Sequence, residues 1–149
     1  MIPKSRRGGV GVKISTKGRY ALRMMIDIAE NQEKGYVTLK DVALRQDISK
    51  KYLEQIALHL SQAGMLRAVR GYQGGYMLAR PAEDYTADAI LQAVEGTLAP
   101  VACLDDAPNQ CERCHKCETL PLWQGLERII LQYLNSVTLA DIIEGRLPS

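Results

Sequence analysis

Four cysteines stand within 15 residues of one another, as Cys103-x7-Cys111-x2-Cys114-x2-Cys117, and the chain has no others. Thiolates bind soft and borderline metals and iron–sulfur clusters, and a loop can fold around such a centre where a helix cannot. Tight clustering of this kind in an intracellular chain favours metal or redox chemistry over a disulfide framework. Three chemistries fit the spacing. An iron–sulfur cluster suits C-x2-C-x2-C, with Cys103 as a remote fourth thiolate. A four-cysteine zinc staple suits it nearly as well. A metal-free thiol switch needs only two of the four. His115 lies in the same loop and could replace one thiolate, whereas His59 falls within a helical pattern and reads as structural or solvent-facing.

A second candidate chemistry lies in the charge distribution. The net charge of the 149 residues is +2, but residues 1–80 carry 15 Lys/Arg against 6 Asp/Glu, which is +9, and residues 81–149 carry 4 against 11, which is −7. A basic half joined to an acidic half is expected where the first binds a polyanion and the second does something else. No apolar run approaches the ~18 residues of a membrane span. The start lacks the apolar segment of a secretory signal. A soluble, cytoplasmic protein with no membrane partner is expected. Length excludes large catalytic barrels, and there is no G-x-G-x-x-G, P-loop or H-E-x-x-H motif, so neither an enzyme nor a small-molecule substrate is expected.

These groups must be positioned by the elements that the periodicity predicts. Residues 1–12 are basic and Gly-rich without apolar periodicity, and read as a disordered extension. Ser15 or Thr16 caps a helix to about Asn31, with Tyr20, Ala21, Met24, Ile28 and Ala29 at helical spacing. Thr38 starts a short second helix to Arg45. Asp47, Ile48 and Ser49 then form a turn that ends in a good N-cap. A third helix carries Leu53, Ile56, Ala57, Leu60 and Ala63 on one face and stops at Gly64. Two short helices across a tight polar turn describe a helix-turn-helix. The period then changes to that of a hairpin, residues 66–69 and 76–79 around the turn 70–75, which in this position is a wing.

Beyond Pro81, Thr86 caps a short helix that ends at Gly96. Residues 97–119 show no periodicity and hold all four cysteines, and so long a loop is usually functional. Pro121 opens a helix to about Val137 as its N1 residue. Its apolar positions Leu122, Leu126, Ile129, Ile130, Tyr133, Leu134 and Val137 make a stripe wider than one small core requires, as in a dimer seam. Thr138 and Asp141 begin a last short helix with a capping box. The fold class is therefore mainly α with a small β-hairpin wing. A winged helix-turn-helix occupies residues 13–82, and a cysteine-loop sensor and dimerisation region with a long dimerisation helix occupies 83–149.

An α-helix fits the major groove of DNA. The solvent face of the third helix carries Lys51, Glu54, Gln55 and Gln62, types that read phosphate, guanine, adenine and cytosine edges. Arg67 and Arg70 at the wing can reach phosphates or a minor groove. Lys17, Arg19 and Arg23 add positive charge on the first helix.

Several stretches carry a family resemblance: Ile14–Leu22 (ISTKGRYAL), Ile48–Gln55 (ISKKYLEQ), Val69–Leu78 (VRGYQGGYML), Cys103, Cys111 and Cys117 followed by Leu122 and Trp123, and Val137–Ile143 (VTLADII). Together they resemble the Rrf-two, or IscR-like, winged-helix regulators of bacteria over residues 12–145. The resemblance implies a homodimeric transcription regulator, usually a repressor, that binds a double-stranded DNA operator under control of an iron–sulfur cluster. It implies [2Fe–2S] held by Cys103, Cys111 and Cys117, and DNA contacts from Ser49, Lys51, Tyr52, Glu54, Gln55 and Arg70. Two family positions differ. The histidine that serves cluster-biogenesis members as fourth ligand is Leu120 here, and the acidic residue that serves nitric-oxide sensors is Arg19. The fourth ligand is open, with Cys114 the first candidate and His115 the second; four thiolates would also permit [4Fe–4S]. The rival reading keeps the DNA-binding module and gives the cysteines to structural zinc or a thiol switch.

Overall fold

Ser15 and Thr38, both in extended backbone, turn their hydroxyls onto the N–H groups of Gly18 and Asp41 and so begin the first two helices. In a computed structural model that describes residues 13–71, 74–105 and 108–148, these are α1 (Thr16–Asn31) and α2 (Leu39–Gln46). Asp47 adopts a left-handed conformation (φ 53°), which ends α2 in two residues and leaves Ser49 to cap α3 (Lys50–Gln62). The antiparallel hairpin β1 (Leu66–Val69) and β2 (Gly75–Leu78) pairs Leu66 with Leu78 and Val69 with Gly75. It begins one residue earlier on β2 than the sequence predicts, because Gly75 joins the pairing. Val37 and Tyr76 exchange both backbone hydrogen bonds at 2.8 Å, which fastens the wing to the entry of α2. Gly75 sits against that junction: a Cβ there would lie 2.4 Å from the Val37 carbonyl oxygen, so no side chain fits.

The second half packs on the first. α4 (Ala87–Glu95) lies against α1 and α3, and α6 (Leu139–Glu144) is brought alongside by backbone hydrogen bonds from Ala87 to Val137 and from Leu139 to Tyr85, both 2.8 Å. Ile90, Val94 and Leu139 belong to the same buried cluster as Met24, Ile28, Leu53 and Ile56. Tyr85, fully buried, donates its hydroxyl to the Met65 carbonyl (2.8 Å) and accepts from the Arg80 N–H, so its polar end is satisfied. The expected capping box of Thr138 and Asp141 is formed.

α5 spans Leu120–Ser136, capped by Thr119, so Pro121 is its second residue and not its first. Its apolar stripe divides in two. α5 lies against α4; Leu126, Ile130 and Leu134 are half-buried, and Leu122, Ile129 and Tyr133, spaced by 7 and 4 residues, form a separate line open to solvent. No residue of the helix is fully buried. Among the described residues no helix is long and apolar enough to cross a membrane. The predicted basic extension at residues 1–12 lies outside the described residues, as do Tyr72 and Gln73 of the wing turn.

Among the described residues one charged side chain is buried in this core. Asp27 of α1 is 2% exposed and receives Arg45 Nη2 at 2.7 Å, Arg45 Nε at 3.0 Å and Gln46 Nε2 at 3.0 Å. The carboxylate holds the Arg45 pKa above its ordinary value, chiefly through the hydrogen bond. Removing one partner of such a pair strands the other. Arg45→Met is expected to lower unfolding stability by about 2–4 kcal/mol, toward the lower end because Arg45 is partly exposed. Chemical denaturation is the check, and a loss below about 0.5 kcal/mol would show that water, not Arg45, solvates Asp27.

Candidate functional site

The third helix, α3, presents the expected polar face. Lys51, Glu54 and Gln55 are exposed on α3, while Leu53, Ile56, Ala57 and Leu60 point into the core. Ser49 is the N-cap, its hydroxyl accepting from the Tyr52 N–H at 3.3 Å, so it sets where the helix starts as well as facing solvent. Tyr52 is half-buried, its ring edge-on to Tyr20 of α1 with centroids 5.7 Å apart. Arg67 and Arg70 are exposed on the wing. Leu58, 56% exposed on the same solvent side of α3, is a feature that helical periodicity alone did not single out. Sequence reasoning also missed Gln46, which joins Asp27 to Arg23: Arg23 Nε donates to Gln46 Oε1 at 3.1 Å and its Nη2 to the Gln46 carbonyl. A glutamine at the end of a short amphipathic helix carries no signal of such a role.

The cysteine loop runs from Gly96 (φ 84°) to Thr119, and its described residues hold one short 3-10 turn, at Ala102–Leu104. All four cysteines are free and half-buried. The Cys114 N–H bonds to the Cys111 carbonyl at 3.1 Å, closing a turn over the C-x2-C segment. Among the described residues no three metal-ligating side chains converge, so the sequence neighbours are not yet brought to one point. The donor set nonetheless fits a soft centre. None of the four thiols is tied up in a disulfide, and Asn109, whose side-chain oxygen takes the Cys111 N–H at 2.8 Å, keeps a buried amide nitrogen with no partner among the described residues. A spare donor beside thiolates suits sulfur acceptors. His115 is exposed, and Leu120 and Arg19 occupy positions that offer no ligand oxygen or imidazole; Arg19 is bonded to Thr16 instead.

The two ends of the loop reach different parts of the fold. Leu104, Pro108 and Asn109 share a shallow groove with Gln124, Glu127, Arg128 and Leu131 of α5, on the side of that helix away from the exposed apolar line. At the other end Glu95, the last residue of α4, accepts from both the N–H and the hydroxyl of Ser15. α1 has no acidic residue in its first turn, so Glu95 supplies the anion that its N-terminus favours. The carboxylate lies where a Cβ on Gly18 would be, 2.2 Å from it.

A profile described as "Rrf2: Iron-dependent Transcriptional regulator" matches residues 14–145. The chain is 40% identical over 139 residues to the HTH-type transcriptional regulator IscR of Cereibacter sphaeroides, covering 91% of this chain and 90% of that protein. It is 39% identical over 132 residues to protein rrf2 of Nitratidesulfovibrio vulgaris, covering 89% and 87%. The fold matches CymR, the global cysteine regulator of B. subtilis, with TM-score 0.72 at 35% identity over 89% of this chain and 96% of that one.

Cys117 differs from the other three cysteines in its surroundings. Its sulfur lies 3.3 Å from the Thr119 hydroxyl, and that contact, with the Thr119 and Leu120 N–H groups and the Arg113 charge, pulls its pKa below the ordinary thiol value. In metal-free protein near neutral pH, iodoacetamide should therefore label Cys117 first, with a rate that begins to fall at lower pH than for an ordinary thiol. Thr119→Val should remove that lead. Equal labelling of all four cysteines by mass spectrometry would refute it.

Proposed function

The chain belongs to the Rrf2 family of transcriptional regulators, and from that membership we propose that it is a cytoplasmic, homodimeric repressor whose grip on a DNA operator is set by an iron–sulfur cluster in the cysteine loop. As a regulator of this family it binds DNA and is not an enzyme. The observation that carries the proposal is the position of the four free thiols. They sit on a loop that follows Glu95, the residue that holds the N-cap of α1, and that shares a groove with α5 along its middle.

Cys103, Cys111 and Cys117 would hold the cluster, with Cys114 the first candidate for the fourth position and His115 the second; [2Fe–2S] is favoured over [4Fe–4S]. The bound group would supply an electron-rich centre that reacts with oxidants or nitric oxide and is lost when iron is short. Residues 97–119 transmit its presence. Drawn around their thiolates, they bear on α5 through Leu104, Pro108 and Asn109. α5 offers Leu122, Ile129 and Tyr133 to a second copy, so its placement sets the distance between the two α3 helices. Through Gly96 the same loop acts on Glu95 and the start of α1. Lys51 and Arg70 then contact phosphate or guanine, Glu54 and Gln55 read base edges, Ser49 and Tyr52 hold the leading turn of α3, and Arg67 supports the wing. The gain is reciprocal: the cofactor shifts DNA affinity only as far as DNA shifts cofactor affinity.

One observation favours a second reading, in which the loop is a thiol switch without a cluster: the lowered pKa of Cys117. Similarity to a regulator named for cysteine supports it further. Metal analysis separates the two. Anaerobically purified protein should be coloured and contain iron and acid-labile sulfide, with Cys114→Ala altering the spectrum if Cys114 is a ligand. Colourless protein without iron would overturn the cluster; zinc in its place would make the loop a structural staple.

On the DNA side, Glu54→Ala should relax sequence preference more than it weakens overall binding, by about 1–3 kcal/mol per lost base contact. Binding to a panel of operator variants is the check. Uniform weakening across the panel would show that Glu54 reads no base.

A further inference from the structure

Two arginines stand beside the turn between α2 and α3, and they differ in what holds them. Arg45 is paired with the buried Asp27, so its charge is neutralised within the protein. Arg23 is held only by neutral acceptors, the side chain and carbonyl of Gln46, with its guanidinium carbon 5.2 Å from the centre of the Tyr20 ring. Among the described residues it forms no ion pair. It is exposed, and its bonds use Nε and Nη2, leaving Nη1 without a protein partner among those residues. Tyr20 in turn meets Tyr52 in the first turn of α3, so Arg23 lies next to the end of the recognition helix that leads into the groove. Lys50 and Lys51 are exposed on that same turn. Of the acids nearest it in sequence, Asp27 is buried and paired with Arg45 and Glu30 is exposed; Asp41, Asp47 and Glu54 are exposed too, and none of the five is bonded to Arg23.

We propose that Arg23 is a preorganised phosphate-binding residue, which clamps the DNA backbone beside the leading end of α3 in each half-site. The proposal rests on the DNA-binding reading above. A guanidinium fixed on two edges by Gln46 and stacked on Tyr20 has surrendered its rotamer freedom before binding, and it presents a full positive charge with a free N–H edge to an anion. Asp27 supports it indirectly, because the carboxylate orients Gln46. A contact of this kind positions the protein and carries no sequence information.

The test is the salt dependence of binding, measured by fluorescence anisotropy with the full chain on its selected operator and on a scrambled duplex of equal length. Each neutralised phosphate contributes about 0.9 to the slope of log K against log[salt]. Arg23→Gln should therefore flatten the slope by about 0.9 per subunit and weaken both duplexes alike, with the operator preference retained. An unchanged slope, accompanied only by a lower melting temperature, would overturn the proposal and leave Arg23 as a cap on the last carbonyl of α2. Should the glutamine variant melt below the assay temperature, Arg23→Lys against wild type carries the test. With the charge kept and the fork lost, the slope should stay and affinity should fall several-fold on both duplexes; unaltered affinity overturns the clamp. If the wild-type protein binds neither duplex, it is the DNA-binding reading itself that fails.

Discussion

A carboxylate withdrawn from water in the middle of α1 fixes the geometry on which DNA recognition depends. Asp27 cannot remain charged in the core without donors, and the donors it finds are the last two residues of α2. An apolar contact could join the two helices as strongly, but it would tolerate sliding; a forked guanidinium on one carboxylate does not. With the end of α2 pinned, the left-handed Asp47 and the cap at Ser49 leave α3 one place to start. Tyr52 then meets Tyr20, and Gln46 meets Arg23. The exposed polar face of α3 is the outer edge of a network whose centre, Asp27, is buried.

The same economy appears at the junction of the two halves. Glu95 ends α4, holds Ser15, the N-cap of α1, and immediately precedes the glycine from which the cysteine loop departs. The loop then returns against α5, a helix that buries none of its residues within the single chain. A segment that shows one short 3-10 turn among its described residues thus follows directly on the residue that holds the start of α1 and shares a groove with α5, the helix with an exposed apolar line. In the function proposed above, a change in how its thiols are held would have these two routes to α3.

Much of this was legible in the sequence wherever a local rule was strong. Ser15, Thr38, Ser49, Thr86 and Thr138 each cap the helix that their type and position predict, and Gly64, Gly96 and Gly145 follow helix ends. The helix-turn-helix follows from two short helices across a tight polar turn, and the wing from the change of period between residues 62 and 66. Long-range polar contacts were illegible. Asp27 reads as one more acid on an amphipathic helix, since nothing local tells a buried carboxylate from a solvated one. Pro121 was read as the first helical residue because proline suits that place, yet Thr119 caps one residue sooner. The apolar face of α5 looked like one wide stripe, and only packing against α4 divides it. The cysteine spacing announced soft-metal or thiol chemistry but could not choose between them, because ligand type and spacing are shared by all three.

The most direct measurement is the affinity of matched samples for one operator. An operator selected from random duplexes would be titrated, at fixed salt and without oxygen, with as-purified protein and with the same protein after chelation of its iron. A cluster-gated regulator should show affinities that differ by about 5- to 150-fold, the range of a coupling of 1–3 kcal/mol, and DNA should protect or expose the cluster by the same factor. Equal affinities in the two forms would contradict gating and leave a DNA-binding protein whose cysteines serve another end.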